Sequence, residues 1–117
     1  MEPVDFSVLD EFKELMGDEG EDEVRDLVAL YLEDGPVQLE AMRSSLSSGD
    51  VETLKRAAHS FKSSCGNIGA IRLQGTCSEL EQKAASGELG ADCQTLITQA
   101  ESSFAEVKAA LGSYLAS

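Results

Sequence analysis

Apolar residues in this chain recur at helical spacing almost everywhere. Nowhere do they alternate cleanly with period two, so no segment reads as a strand. The first predicted helix runs from about Ser7 to Met16. Leu9, Phe12 and Met16 form its apolar stripe, and Ser7 with Asp10 resembles a capping box. Gly17-Asp18-Glu19-Gly20 ends it. A second helix begins near Glu21 and reaches about Ser47, turning Val24, Val28, Tyr31, Leu39, Met42 and Leu46 inward. Gly35-Pro36 interrupts this pattern. Pro36 lacks a backbone donor and crowds the carbonyl of Leu32, which predicts a kink, and two shorter helices would also fit.

After Ser48-Gly49, Asp50 is placed to cap a third helix. Val51, Leu54, Ala58, Phe61, Cys65 and Ile68 recur along it at 3-4-3-4-3 spacing, and Gly69 offers a left-handed stop. A fourth helix takes Leu73, Cys77, Leu80 and Ala84 inward and ends near Ser86-Gly87. The fifth runs from near Asp92 to about Leu115, with Cys93, Ile97, Ala100, Phe104, Val107, Leu111 and Tyr114 as its stripe. Stripes that repeat about every 3.5 residues, joined by short loops, mean antiparallel helices packed near 20°. The expected fold is all-α: an antiparallel up-down four-helix bundle with an additional short N-terminal helix lying across one end. The chain has 117 residues and no repeat, low-complexity tract or linker, so residues 1–117 read as a single domain.

Charge narrows the function classes. Asp and Glu number 22 against 9 Lys and Arg, a net charge of −13. Nucleic acid and anionic membrane both need clustered cations, so neither is expected as a partner. A chain this acidic repels its own copies, which favours a monomer. The N-terminus M-E-P-V-D-F has no signal-peptide pattern and no apolar run approaches the roughly 18 residues of a spanning helix, which predicts a cytoplasmic protein. Cys65, Cys77 and Cys93 are odd in number, lack a C-x-x-C spacing and all fall at apolar positions, so they read as small buried hydrophobes.

One stretch departs from the acidic background. From Thr53 to Ser78 there is no Asp or Glu, yet four of the nine cations lie there: Lys55, Arg56, Lys62 and Arg72. The only histidine, His59, lies among them. On a helical wheel it points roughly 140° away from the apolar stripe of the third helix, towards solvent. Lys55 and Lys62 stand at i−4 and i+3 from it and Arg56 at i−3, with the small residues Ser63 and Gly66 on the same side. A lone surface histidine and a basic helical face are each ordinary. Together, in a chain otherwise so acidic, they suit a phosphoryl group carried on an imidazole nitrogen and held by neighbouring cations. A metal site combining His59 with Cys65, Cys77 and Cys93 matches no zinc spacing and would need side chains from opposite sides of one helix, so no metal is expected.

The order of residues adds to this. H-S-F-K-S-S-C-G-N-I-G-A resembles the signature of histidine-containing phosphotransfer (HPt) domains of two-component phosphorelay signalling. In that family the histidine is followed by Lys at +3, a small-residue cluster, and Gly-Ala at +10 and +11. Here these are His59, Lys62, Ser63-Ser64-Cys65, Gly69 and Ala70. The resemblance extends to Leu73, Cys77, Leu80 and Glu81, to Gly49-Asp50 and to the mid-helix Pro36. One position departs: the family often has Gly at +4, where this chain has Ser63.

The resemblance implies that His59 accepts a phosphoryl group from the aspartate of one response-regulator receiver domain and passes it to another. Lys62 is implied as the first contact of the phosphoryl oxygens and Lys55 as the second. Arg56 ranks third, since it has Glu52 as a candidate i,i+4 partner. Glu81 is implied as the residue that bonds the ring and leaves the far nitrogen for attack, with a solvated surface Glu as the competing account. Ser63, Gly66 and Arg56 would form the surface a partner approaches. The chain has no P-loop and no kinase-like glycine motif, so it reads as a phosphoryl carrier rather than an enzyme. It would need no cofactor of its own, with Mg²⁺ coming from the partner receiver domain. A hybrid sensor histidine kinase is a further implied partner. The starting Met1 and complete bundle favour a free-standing carrier. The alternative is a helical adaptor that binds signalling partners without being phosphorylated.

Overall fold

Glycines and short polar side chains set most of the helix ends. The computed structural model describes residues 2–116; Met1, used above to favour a free-standing chain, lies outside the described residues. Five α-helices follow in order: α1 Ser7–Met16, α2 Gly20–Ser48, α3 Val51–Ile68, α4 Ile71–Ala85 and α5 Ala91–Ala116, with a 3-10 turn over Gly17–Glu19 between the first two. No strand occurs among the described residues. Asp50 caps α3 as expected: its Oδ1 accepts from Thr53 N at 3.1 Å and its Oδ2 from Thr53 Oγ1 at 2.7 Å. Gly49 (φ 75°) and Gly69 (φ 93°) take the left-handed conformation that ends α2 and α3.

One expected helix start is corrected, and one alternative left open for the second helix is decided. Ser7 and Asp10 form no capping box. Instead Asp5 Oδ1 accepts from Ser7 N and Ser7 Oγ, while Asp10 accepts from the Tyr114 hydroxyl of α5. The cause is tertiary: Asp5 N donates to Gly69 O at 2.7 Å, which anchors the entering chain on the α3–α4 turn. The two-helix alternative for the second segment is not realised, since α2 is one helix of 29 residues that runs through Pro36. Its Gly35 serves packing rather than termination. A Cβ built there would lie 2.5 Å from the Phe104 ring of α5, so the missing side chain is what lets that ring meet the α2 backbone.

The four long helices pack in a ring, α2 on α3, α3 on α4, α4 on α5 and α5 on α2, while α1 packs on α2 and α3 at one end. This is the antiparallel four-helix bundle with a short N-terminal helix, 47 × 23 × 19 Å in extent. Inside it, Tyr31, Phe61 and Phe104 bring three helices together, with ring centroids 5.7–5.9 Å apart. The three cysteines are buried, and Tyr31 Oη lies 3.3 Å from Cys65 Sγ. Burial pushes the Tyr31 phenol far above its ordinary range, so it stays protonated.

The stripes are corrected at their edges. Met16 is exposed, and Phe12, Val51 and Tyr114 are half-buried. Ser45 replaces Leu46 as the buried position, because its hydroxyl donates to Ala41 O and Met42 O and so is buried with a partner. Among the described residues no helix is long and apolar enough to cross a membrane.

Candidate functional site

Burial of Leu54, Ala58, Phe61, Cys65 and Ile68 turns the opposite face of α3 outward. His59 stands on that face with its side chain 61% exposed. Beside it, α4 runs antiparallel. Burial of Leu80 and Ala84 places Glu81 at the seam between the two helices, where its side chain is only 20% exposed. One carboxylate oxygen, Oε2, lies 2.8 Å from His59 Nδ1; the other, Oε1, accepts from Lys62 Nζ at 2.6 Å.

The electrostatics assign the proton. The hydrogen bond from the Lys62 ammonium, helped by the His59 ring, holds the Glu81 carboxyl below its ordinary range, against the opposing effect of burial. An ionised carboxylate can only accept, so Nδ1 carries the hydrogen of the 2.8 Å bond. In the neutral ring the lone pair is then on Nε2, which has no hydrogen-bond partner among the described residues. The competing account of Glu81 as a solvated surface residue does not describe this position.

The lowered carboxyl has a measurable consequence. A group whose folded-state value is depressed adds stability above its ordinary value of 4.5, and that stability is lost as pH falls through the depressed one. The melting-temperature gap between wild type and Glu81→Gln is expected to hold steady above about pH 5 and to close in stronger acid. A gap that stays open in acid would assign the stabilisation to packing of the Glu81 side chain.

The remaining predicted residues fall in different places. A hollow beside the ring is lined by Glu52, Lys55, Arg56, His59 and Glu81. Lys55 and Arg56 are exposed and form no ion pair within 4.0 Å among the described residues, so the considered Arg56–Glu52 pair does not form. Lys62, ranked first among phosphoryl contacts, is engaged by Glu81 and does not line the hollow. Ser63 is exposed and its Oγ donates to His59 O at 3.3 Å, the ordinary i−4 bond of a helical serine.

Gly66, expected on the approach surface, has a neighbour from α4. It is half-buried, and a Cβ there would lie 2.7 Å from Gln74 Nε2, so the amide end of that side chain rests beside it. Sequence reasoning missed Gln74, because only the α3–α4 register brings its amide over Gly66. It also missed Leu30 and Val37, which are 65% and 63% exposed on one face of α2. Seven residues apart, they share a side of the helix, but the pattern offered no reason to single them out. Among the described residues no three His, Cys, Asp or Glu side chains gather into a metal-binding group.

Comparison with known proteins adds three findings. A family model described as Hpt domain matches residues 26–111. Over 86 residues the chain is 34% identical to the sensor protein TorS of Escherichia coli (strain K12), an alignment that takes in 74% of this chain and 9% of the length of TorS. The crystal structure of histidine-containing phosphotransfer protein B (HptB) from Pseudomonas aeruginosa PAO1 is similar at a TM-score of 0.86 and 34% identity, covering 97% of this chain and 94% of that one.

Proposed function

The chain belongs to the Hpt domain family of histidine phosphotransfer in two-component phosphorelays, and from that premise we propose that it carries a phosphoryl group on His59 between aspartates of response-regulator receiver domains. The observation that carries this reading is the 2.8 Å contact of Glu81 with Nδ1, which leaves Nε2 open on an exposed ring. The Nε2 lone pair forms a bond to phosphorus while the bond from phosphorus to the donor's aspartyl oxygen breaks, and the aspartate leaves as a carboxylate. The Nδ1 proton stays in place and the Glu81 carboxylate offsets the positive charge of the phosphorylated ring. Delivery to the next aspartate is the same step reversed.

Domains of this family are carriers rather than classical enzymes. Mg²⁺ and the remaining catalytic groups belong, on this proposal, to the receiver. The donor set here supports that assignment: Glu81, which bonds the ring, has one oxygen on His59 and the other on Lys62. Lys55 supplies positive charge from the hollow, and Lys62 supplies it through the Glu81 pair. Ser63 and Arg56 face the approaching partner. The net charge of −13 supports a monomer, and the similarity to the sensor protein TorS supports a hybrid sensor kinase as a further partner.

The test is to mix the protein with a phosphorylated receiver domain. One acid-labile, alkali-stable phosphoryl group per chain, mapped to His59 by mass spectrometry, is the expected result. A complex that forms without any label on this chain would favour the adaptor reading.

A further inference from the structure

We propose that Glu52 selects the partner: it meets a lysine or arginine on the receiver domain that docks over His59, and receivers without a cation at that place are disfavoured. The inference rests on the carrier reading and deepens it by naming the charge that the partner presents.

Glu52 stands on the same face of α3 as the histidine. It precedes His59 by seven residues, which is two turns and about 10 Å along the helix axis. It lines the same hollow as the ring, together with Lys55, Arg56 and Glu81. A receiver reaches Nε2 only by resting over that ring. A standard interface covers about 800 Å² on each partner, a patch about 16 Å in radius. Glu52 therefore falls inside the footprint of a receiver of ordinary size centred on the ring.

Its carboxylate is also uncommitted. Asp50 accepts from Thr53 through both oxygens, and Glu81 has one oxygen on His59 and the other on Lys62. The Glu52 side chain is exposed and makes no hydrogen bond or ion pair among the described residues, although Arg56 is one turn away. It is the only acidic residue of α3. A carboxylate covered by a partner loses its water, and the complex is weakened unless a cation takes the place of that water. A facing Lys or Arg meets this need, whereas a facing Asp or Glu adds repulsion.

The competing account is local: an acidic residue in the first turn of a helix is favoured by the helix dipole. That role changes melting and is indifferent to the phosphoryl donor, so two donors separate the accounts. One is the phosphorylated receiver that labels wild type in the carrier test. The other is phosphoramidate, where Nε2–P forms as the P–N bond breaks and ammonia leaves. Both are applied to wild type, Glu52→Gln, Glu52→Lys and Glu79→Lys, with a thermal melt of each. Glu79→Lys makes the same charge change at an exposed position about 200° round α4 from Glu81.

The ratio of receiver-dependent to phosphoramidate-dependent labelling is expected to fall about fivefold in Glu52→Gln and more than about tenfold in Glu52→Lys. The loss should lie in a higher half-saturating receiver concentration, with the maximal rate kept, and should shrink as salt is added. Glu79→Lys should keep the wild-type ratio. A Glu52→Lys ratio at or above wild type overturns the assignment, as does a loss confined to the maximal rate or one matched by Glu79→Lys. A folded wild type that takes no label from a phosphorylated receiver overturns the carrier reading together with this inference.

Discussion

His59→Gln is expected to carry no phosphoryl label from a phosphorylated receiver while melting close to wild type. The two halves have separate physical causes. Loss of label follows because no neighbour can take over. Ser63 Oγ and Ser64 Oγ each donate to a backbone carbonyl one turn back, with no base beside them to strip a proton. The Cys65 thiol is fully buried. Retained stability follows because the imidazole is 61% exposed and fills no core space. Substitutions at such positions usually change stability by less than about 0.5 kcal/mol. The measurement is a time course of label together with a thermal melt. Label that persists on the folded variant would move the acceptor to another residue and remove the basis of the site described here.

Phe61→Ala lies two residues away and is expected to do the reverse. Its ring is fully buried and stands 5.8 Å from Tyr31 and 5.9 Å from Phe104, so α2, α3 and α5 all lose a contact when it goes. The surroundings cannot easily close over the gap, because the Phe104 ring is already pressed on the backbone at Gly35. Truncating a buried Phe costs about 3–5 kcal/mol. Set against a total of about 5–15 kcal/mol for an ordinary domain, that removes a large share of the stability. Urea unfolding should show a lower midpoint at an unchanged slope. A loss below about 1 kcal/mol would mean that the three rings are not close-packed. Because His59 keeps its place on α3, the fraction of Phe61→Ala protein that remains folded should still accept label.

Several features of the site were legible in the residues because they are local. The Asp50 cap joins atoms three residues apart. The exposure of His59 follows from helical periodicity alone, since one buried stripe dictates the opposite face. The cationic run around it can be counted. The contact of Glu81 with the ring was reached only through the family resemblance, because spacing within one helix says nothing about its neighbour. The pairing of Lys62 with Glu81 was hidden for the same reason: its partner comes from α4. The amide of Gln74 beside Gly66 and the Phe104 ring against Gly35 were likewise invisible in the spacing, since both come from other helices.

From the order of its amino acids alone, this protein is a set of amphipathic helices with a lone imidazole turned to water among ammonium and guanidinium groups. Covalent chain geometry is enough for that, because which way a side chain faces on a helix depends only on its own turn. Which nitrogen of the ring meets a carboxylate and which cation pairs with Glu81 were decided by how the helices sit against one another. Those contacts join residues 19 and 22 positions apart in the chain, and a separation of that kind becomes 2.6 or 2.8 Å only once burial of the opposite faces has set the register of α3 on α4.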